Sequence, residues 1–285
     1  MQRPHLTLFW NKNKIDKANY SIKPFQKKYF FNISFNKKTF DFKKLEIDKK
    51  IIYIFGVLIK DNIIQNNFFL NEFNKINDFN IKKIKKLLKE LNGQFLIIIF
   101  DKKLKKLHII NDRFNSFPIY YSNFKNKFLI SHLYFDIFKE NKKEKGFKIN
   151  KNGIKEFLWF RRTFGKTTYD NFTKFLLPAS LLTVDKQKIT VNKYWIPKFK
   201  RKIKNNKFVT NKFIQLLNNS SNRLSSDNKK NSIFLSAGHD SRIVLASFKT
   251  KPISFSFGFS KNFEVKVANK IAKNQNSKFK FIKLE

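Results

Sequence analysis

Residues 232–242 read Ser-Ile-Phe-Leu-Ser-Ala-Gly-His-Asp-Ser-Arg. The order is a short apolar run, a loop of small residues carrying one carboxylate and two hydroxyls, and the start of an apolar helical pattern. Ser232 to Leu235 read as a buried strand, and Ile243, Val244, Ala246, Ser247 and Phe248 recur at helical spacing from Ser241 onward. The loop therefore sits at a helix N-terminus. Unpaired backbone N–H groups and the positive end of the helix dipole meet there, and Ala237 and Gly238 are small enough to let a phosphate approach the main chain. Ser236 and Ser241 offer hydroxyls to phosphate oxygens, and Asp240 is placed to hold a Mg²⁺ ion that neutralises pyrophosphate. A plain strand-to-helix turn capped by Asp240 or Ser241 fits the same residues, so this segment alone leaves both readings open.

The rest of the C-terminal region extends the pattern. Phe208 to Leu224 reads as a helix, residues 232–235 as a strand, 241–249 as a helix, Ile253 to Phe257 as a strand, Glu264 to Lys273 as a helix and Lys278 to Leu284 as a strand. That is the βαβ alternation of a parallel sheet. Before Pro197 the texture differs. Ile51 to Lys60 is strand-like, with Gly56 marking a bulge. Ile81, Ile84, Leu88 and Leu91 lie at helical spacing over residues 80–91, and Asn92-Gly93 is read as the stop of that helix. Gln94 to Phe100 and Leu104 to Asn111 pair as a hairpin around Asp101 to Lys103, and Ile119 to Ser122 pairs with Phe128 to Ser131 around Asn123 to Asn126. Lys151 to Phe160 is a helix candidate, and Leu181 to Asp185 pairs with Lys188 to Trp195.

Composition narrows the chemistry. Apolar residues make up 41% of the 285, enough for a real core in one domain and part or all of a second. The absence of cysteine excludes disulfides, thiolate metal sites and a cysteine nucleophile, and is compatible with a reducing cytoplasm. Met1 to Trp10 lacks the apolar core of a signal peptide, and the longest apolar runs, Ile51 to Ile59 and Phe95 to Phe100, are far short of a membrane span. A soluble cytoplasmic protein is the expectation. The formal charge of +41 raises the question of nucleic acid. Lysine, however, is spread along the whole chain in company with Asn, Ile and Phe, as AT-rich codon usage would produce, and no arginine occurs between Arg3 and Arg113. Lys198 to Lys207 reads as a basic, solvated linker.

The loop at 236–241 resembles the pyrophosphate loop of the N-type ATP pyrophosphatases, Ser-Gly-Gly-x-Asp-Ser, with Ala237 in place of one glycine. If that position needs positive φ, alanine strains the loop by roughly 1 kcal/mol; if it needs only a small side chain, alanine is harmless. A wider resemblance rests on four motifs in order. Leu91-Asn92-Gly93-Gln94-Phe95 with Phe100-Asp101, and Asn111-Asp112-Arg113-Phe114 followed by Pro118-Ile119-Tyr120-Tyr121, resemble the hairpin region of class II glutamine amidotransferase domains in asparagine synthetases. Leu177-Pro178-Ala179 with Val184-Asp185 and Tyr194-Trp195 resembles the end of that domain, and Ile253 to Phe259 resembles the next strand of the synthetase domain.

The resemblance implies an α+β, Ntn-hydrolase-like sandwich over residues 1–197, the linker 198–207, and over 208–285 part of an α/β parallel-sheet nucleotide-binding domain. Only 45 residues follow Asp240, fewer than such a sheet needs, which leaves two expectations open: a gene fragment, or a domain finished by a completing chain or a second copy in a homo-oligomer. The implied activity is a ligase that uses ATP and Mg²⁺ to adenylate a small-molecule carboxylate, aspartate or similar, for attack by ammonia or an amine. By position, Ser236, Ala237, Gly238, Asp240 and Ser241 would hold pyrophosphate, Asp240 the metal, and Leu235 and Phe257 would line the adenine pocket, largely through main-chain contacts. His239 occupies the variable position and is a bystander; the catalytic residues stay unassigned. Nucleic acid and membrane are not expected partners.

Departures from the family pattern point to loss of glutaminase activity. The family nucleophile is an N-terminal cysteine, whereas position 2 is Gln2; the aspartate that pairs with the glutamine ammonium is replaced by Asn92; and no arginine is available for the glutamine carboxylate. Two other classes stay open on the sequence: a tRNA-modifying ATP pyrophosphatase, which the basic charge would suit, and a truncated, non-catalytic remnant.

Overall fold

The computed structural model describes residues 6–11, 30–35, 42–77, 79, 81–124, 127–146, 148–185, 188–199, 205–225 and 230–285. Gln2, Asn126 and half of the basic linker, residues 200–204, lie outside them. The chain divides into two compact units, one of Met1–Leu58 with Gln65–Pro197, the other of Ile59–Ile64 with Lys198–Glu285.

The elements run β1 (Leu6–Asn11), β2 (Phe30–Phe35), β3 (Phe42–Glu46), β4 (Lys50–Lys60), β5 (Ile63–Ile64), α1 (Asn66–Lys75), α2 (Ile81–Glu90), β6 (Asn92–Asp101) and β7 (Lys106–Asn111). After these come β8 (Tyr120–Phe124), β9 (Lys127–Ser131), α3 (Tyr134–Lys145), α4 (Lys151–Phe160), β10 (Lys174–Phe175), β11 (Ser180–Asp185) and β12 (Lys188–Lys193). Two sheets result, one ordered β10-β8-β9-β1-β2 and the other β12-β11-β7-β6-β4-β3 with β5 beside β4.

The apolar runs of β4 and β6 are continuous because both faces of the larger sheet are covered. On one face Ile51, Tyr53 and Phe55 of β4, with Leu96, Ile98 and Phe100 of β6, meet Tyr121, Phe128 and Ile130 of the smaller sheet. On the other face Ile52, Ile54, Ile97 and Ile99 meet Phe69, Leu70 and Phe73 of α1 and Ile84 and Leu88 of α2. The period-2 alternation of a strand thus feeds two cores from one run of sequence. The outer face of the smaller sheet carries α3, where Ser122 donates to Asn141 Oδ1 at 2.8 Å and Asn141 donates to Thr173 Oγ1 at 3.1 Å. The layers are therefore helix, sheet, sheet, helix, an α+β arrangement in which β6 with β7, β7 with β11, β11 with β12 and β8 with β9 pair antiparallel.

The second unit holds α5 (Asn206–Leu224), β13 (Ser232–Phe234), α6 (His239–Ser247), β14 (Ile253–Gly258), α7 (Phe263–Asn274) and β15 (Phe279–Lys283). Its three strands pair in parallel in the order β13-β14-β15. Leu235, Leu245, Ala268 and Ala272 form the core, with Ile233, Ile271 and Phe279 packed against it. Ser221 of α5 and Ser247 of α6 share a buried hydroxyl–hydroxyl bond of 2.6 Å.

Four elements differ from the sequence reading. Asn92-Gly93 does not form a helix-stopping turn but opens β6, where Gly93 has φ +118° and a Cβ would lie 2.1 Å from the Val57 carbonyl oxygen. Helix α6 begins at His239, two residues before Ser241, with Gly238 (φ −70°, ψ 163°) at its N-cap and no side-chain capping bond from Asp240 or Ser241. The aromatic-rich stretches at α1 and α3 become helices that periodicity did not single out.

Candidate functional site

The loop between β13 and α6 gathers most of the residues singled out there. Ser236 Oγ lies 3.2 Å from Ser241 Oγ, the Ser236 main-chain N–H donates to Ser241 Oγ at 3.2 Å, and the Gly238 N–H donates to Ser236 Oγ at 3.1 Å. Two hydroxyls and two main-chain donors therefore converge within one turn of the α6 N-terminus, whose first N–H groups have no side-chain cap. Ala237 is not among the residues with positive φ, so alanine fits the loop without backbone strain. A Cβ on Gly238 would lie 3.2 Å from Ser236 Oγ, so a larger residue there would have to shift that hydroxyl.

Asp240 stands exposed in the first turn of α6 beside this cradle, and His239 is exposed as well. Among the described residues no three His, Cys, Asp or Glu side chains cluster as a self-contained metal site. One carboxylate beside two hydroxyls is the donor set of an ion held mainly through substrate phosphates, and in that sense the residues fit Mg²⁺.

The two residues assigned to adenine are not brought together through their side chains. Leu235 is buried in the core, its N–H donating to the Phe255 carbonyl at 2.7 Å and its carbonyl accepting from Ser256 Oγ. Phe257 is 58% exposed and packs edge-on against Phe234, at 5.7 Å between ring centroids, among the aromatic residues that face away from that core. Arg242, which the sequence reading passed over, reaches back to the loop. Its Nη2 donates to the Ala237 carbonyl at 3.4 Å, and its buried Nε has no partner. A basic residue one turn into a helix that follows a small-residue loop is the signal that could have found it.

In the first unit, motifs quoted from three separate parts of the sequence meet in one buried network. Asn111 donates to Asn115 Oδ1 and to the Leu177 carbonyl, both at 2.9 Å, and accepts from the Ser180 N–H at 2.7 Å. Asp112, 1% exposed, accepts from the main-chain N–H groups of Phe95, Phe114 and Ser116 at 2.9 to 3.3 Å. Ala179, at φ +53°, donates to the Asp112 carbonyl at 2.9 Å. These buried acceptors are all satisfied by local donors, so the network holds the hairpin and the loop before β11 in place.

Near the hairpin, Gly56 (φ +81°) and Gly93 permit a close crossing of β4 and β6, since a Cβ on Gly56 would lie 2.2 Å from the Gln94 carbonyl oxygen. Asn66 braces the same place, donating to the Gly56 carbonyl at 2.8 Å and accepting from the Leu58 N–H at 2.7 Å. Asn92 is exposed and its Oδ1 accepts from its neighbour Gly93 N–H at 2.9 Å. Arg113 is committed elsewhere, donating to the Lys89 carbonyl at 2.7 Å with its guanidinium 5.4 Å from the Trp195 ring centroid. A cavity of about 350 Å³ lies apart from all these motifs, lined in part by Ile47, Lys50, Asn74 and Asp101. Lys50 is buried there and donates to the carbonyls of Asn74 and Ile76, closing the C-terminus of α1; burial lowers its pKa.

Residues 80–195 match the glutamine amidotransferase domain family. That part of the chain is glutamine amidotransferase-like. Among solved structures the chain is similar to the glutamine phosphoribosylpyrophosphate amidotransferase from B. subtilis complexed with ADP and GMP, at 8% identity over 84% of this chain and 47% of that one, with a TM-score of 0.32. It is also similar to a structure described as the allosteric regulatory enzyme of purine biosynthesis, at 9% identity over 83% of this chain and 45% of that one, with a TM-score of 0.32. The chain spans about half the length of these two proteins. No curated protein matches it. No helix among the described residues is long and apolar enough to cross a membrane.

Proposed function

We propose that this chain is an asparagine synthetase-like, ATP-dependent amide ligase that activates a small carboxylate, aspartate or similar, for attack by ammonia or an amine. The observation that carries the reading is the convergence of Ser236, Gly238 and Ser241 at the uncapped start of α6, following a glutamine amidotransferase-like domain in the same chain.

The chemistry asked of the loop is positioning and charge stabilisation. The Ser236–Ser241 bond would open so that both hydroxyls donate to the leaving pyrophosphate, while the first N–H groups of α6 point along the same direction. Arg242 would add a fixed positive charge behind the loop. Mg²⁺, held beside Asp240, would supply shielding of the phosphate charge. The carboxylate oxygen then attacks the α-phosphorus in line, forming an acyl-adenylate and releasing pyrophosphate, and ammonia displaces AMP.

Pyrophosphate–ATP exchange tests this. With Mg²⁺ and a panel of amino-acid carboxylates, labelled pyrophosphate should enter ATP in the presence of one of them, and Asp240→Asn should slow the exchange by roughly tenfold or more. Absence of exchange with every carboxylate, together with no heat of Mg-ATP binding by calorimetry, would remove the ligase reading.

A further inference from the structure

Helix α4 ends in an exposed apolar tip. Leu158, Trp159 and Phe160 are 64%, 82% and 62% exposed, and Arg161, Arg162 and Lys166 follow, with Lys155 exposed one turn before. Three consecutive large apolar side chains in water cost free energy that a solvated helix end would avoid, and exposed apolar clusters rimmed by charge mark interaction sites.

The tip is a built feature. Asn150 caps α4 by accepting from the Gly153 N–H at 3.2 Å, and Gly153 seats against Thr168, where a Cβ would lie 2.1 Å from the carbonyl oxygen. Phe157 meets Tyr169 edge-on at 5.6 Å between centroids. Beyond the helix, Glu156 accepts the Phe164 N–H at 2.8 Å, and Arg162 lies 4.9 Å from the Phe164 ring centroid. The loop is thereby folded back, and Trp159 and the two arginines stay outward.

Composition sets this place apart as well. Lysine is the background cation of the chain, yet residues 159–162 hold two of its seven arginines and one of its three tryptophans. A codon bias that spreads Lys, Asn, Ile and Phe does not by itself concentrate Arg and Trp.

We propose that the tip of α4 docks on an anionic lipid surface, with Leu158, Trp159 and Phe160 entering the interface and Lys155, Arg161 and Arg162 facing headgroup phosphates. Charge complementarity selects an anionic partner. Geometry selects lipid over single-stranded nucleic acid, because consecutive helical residues project about 100° apart and offer no common face on which successive bases could stack. Leu158 has no π-face at all. An interface accepts apolar side chains from any direction, and tryptophan with flanking cations is its usual anchor. Docking of this kind needs no spanning segment, so it is independent of the apolar run lengths that argued against a membrane partner.

The test is co-sedimentation with vesicles of phosphatidylglycerol and phosphatidylcholine, against phosphatidylcholine alone. The wild-type chain should bind the anionic vesicles, with a blue shift of tryptophan emission that Trp159→Phe abolishes. Leu158→Ser/Trp159→Ser, which keeps every charge, should weaken binding roughly tenfold or more. Arg161→Gln/Arg162→Gln should weaken it roughly thirtyfold. All four side chains are exposed, so thermal melts should match the wild type. Equal binding of the charge-preserving variant would mean that the diffuse charge of the chain is responsible, and would overturn the proposal. So would Trp159-dependent binding to single-stranded RNA tighter than to vesicles.

Discussion

Tyr194 donates its hydroxyl to the main-chain carbonyl of Asn111 across 2.6 Å, tying residues 83 apart in sequence. The Tyr194 N–H in turn donates to the Ala179 carbonyl at 2.9 Å, so one residue clamps both the end of β7 and the loop before β11. Burial, followed by the Asp112 carboxylate, raises the Tyr194 pKa far above its ordinary value, which keeps the hydroxyl a donor throughout the accessible pH range.

Tyr194→Phe should therefore cost about 1 to 3 kcal/mol of stability, because it leaves a buried carbonyl without its donor while the ring still fills its place. Asn111→Ala removes three bonds at once and should cost more. Because both residues belong to one network, the double variant should lose less than the sum of the two. Urea midpoints of the four proteins measure this, and strict additivity would show that the two residues do not act together.

Gly93→Ala should be more severe than either. The position combines φ +118° with a Cβ that would sit 2.1 Å from the Val57 carbonyl oxygen, so alanine is excluded by backbone conformation and by contact. The crossing of β4 and β6 would have to separate, opening Ile54 and Ile97 to water. Loss of a cooperative melt is the expected outcome, whereas Gly146→Ala, at φ +72° with nothing within 4 Å of the added Cβ, should cost only about 1 kcal/mol.

These contrasts show what the sequence could and could not disclose. Ile51 to Lys60 and Lys151 to Phe160 were legible because a continuous apolar, β-branched run and helical spacing are local properties of consecutive residues. The parallel order in the second unit was legible for the same reason: Ser232 to Leu235, Ile253 to Phe257 and the helices between them each carry a local signal. Gly93 was misread because a glycine after a helix looks the same whether it ends the helix or makes room for a carbonyl from another strand. Helices α1 and α3 escaped notice since Phe68, Phe69 and Phe73, or Tyr134, Phe135 and Phe138, suit strands equally well by propensity. At the loop, spacing led to the converging Ser236 and Ser241, but no spacing rule could say that Leu235 would turn into the core and Phe257 out to solvent. Arg242 is related to Ala237 only through the first turn of α6, whose start the sequence placed two residues late.

His108 gives a pH dependence with a definite sign. Burial, reinforced by Lys106, pushes its pKa from 6.5 down to about 3, while Nδ1 lies 3.0 Å from Thr183 Oγ1 and the ring stacks on Phe79 at 4.6 Å between centroids. The folded chain refuses a proton that the unfolded chain accepts. Its contribution is thus fully present above about pH 6.5 and is lost as pH falls toward 3, at up to about 1.4 kcal/mol per pH unit. In His108→Gln, urea midpoints at pH 7.5 should lie below wild type, and the difference should shrink steadily toward pH 4.5. A constant difference across that range would mean that His108 is not the buried neutral base described.

Any amide formed by this protein should take its nitrogen from free ammonia or another amine, never from glutamine. Glutamine hydrolysis in the class that this domain resembles uses an N-terminal thiolate with the α-amine as base, and no position of the chain holds a cysteine. The carboxamide of Gln2 is neither nucleophilic nor titratable. Binding is disfavoured as well. Asn92 has the shape but not the charge of the aspartate that would meet the glutamine ammonium, and its Oδ1 already accepts from Gly93. Arg113, near in sequence, donates from Nη2 to the Lys89 carbonyl and lies with its guanidinium 5.4 Å from the Trp195 ring centroid. Incubation with isotopically labelled glutamine should accordingly release no labelled glutamate above that of heat-inactivated protein. Added ammonium, in contrast, should support whatever ATP-dependent amidation the chain performs. Labelled glutamate released by wild type and by Gln2→Ala alike would reveal a nucleophile other than the ones this chemistry allows, and would require a different account of the first unit.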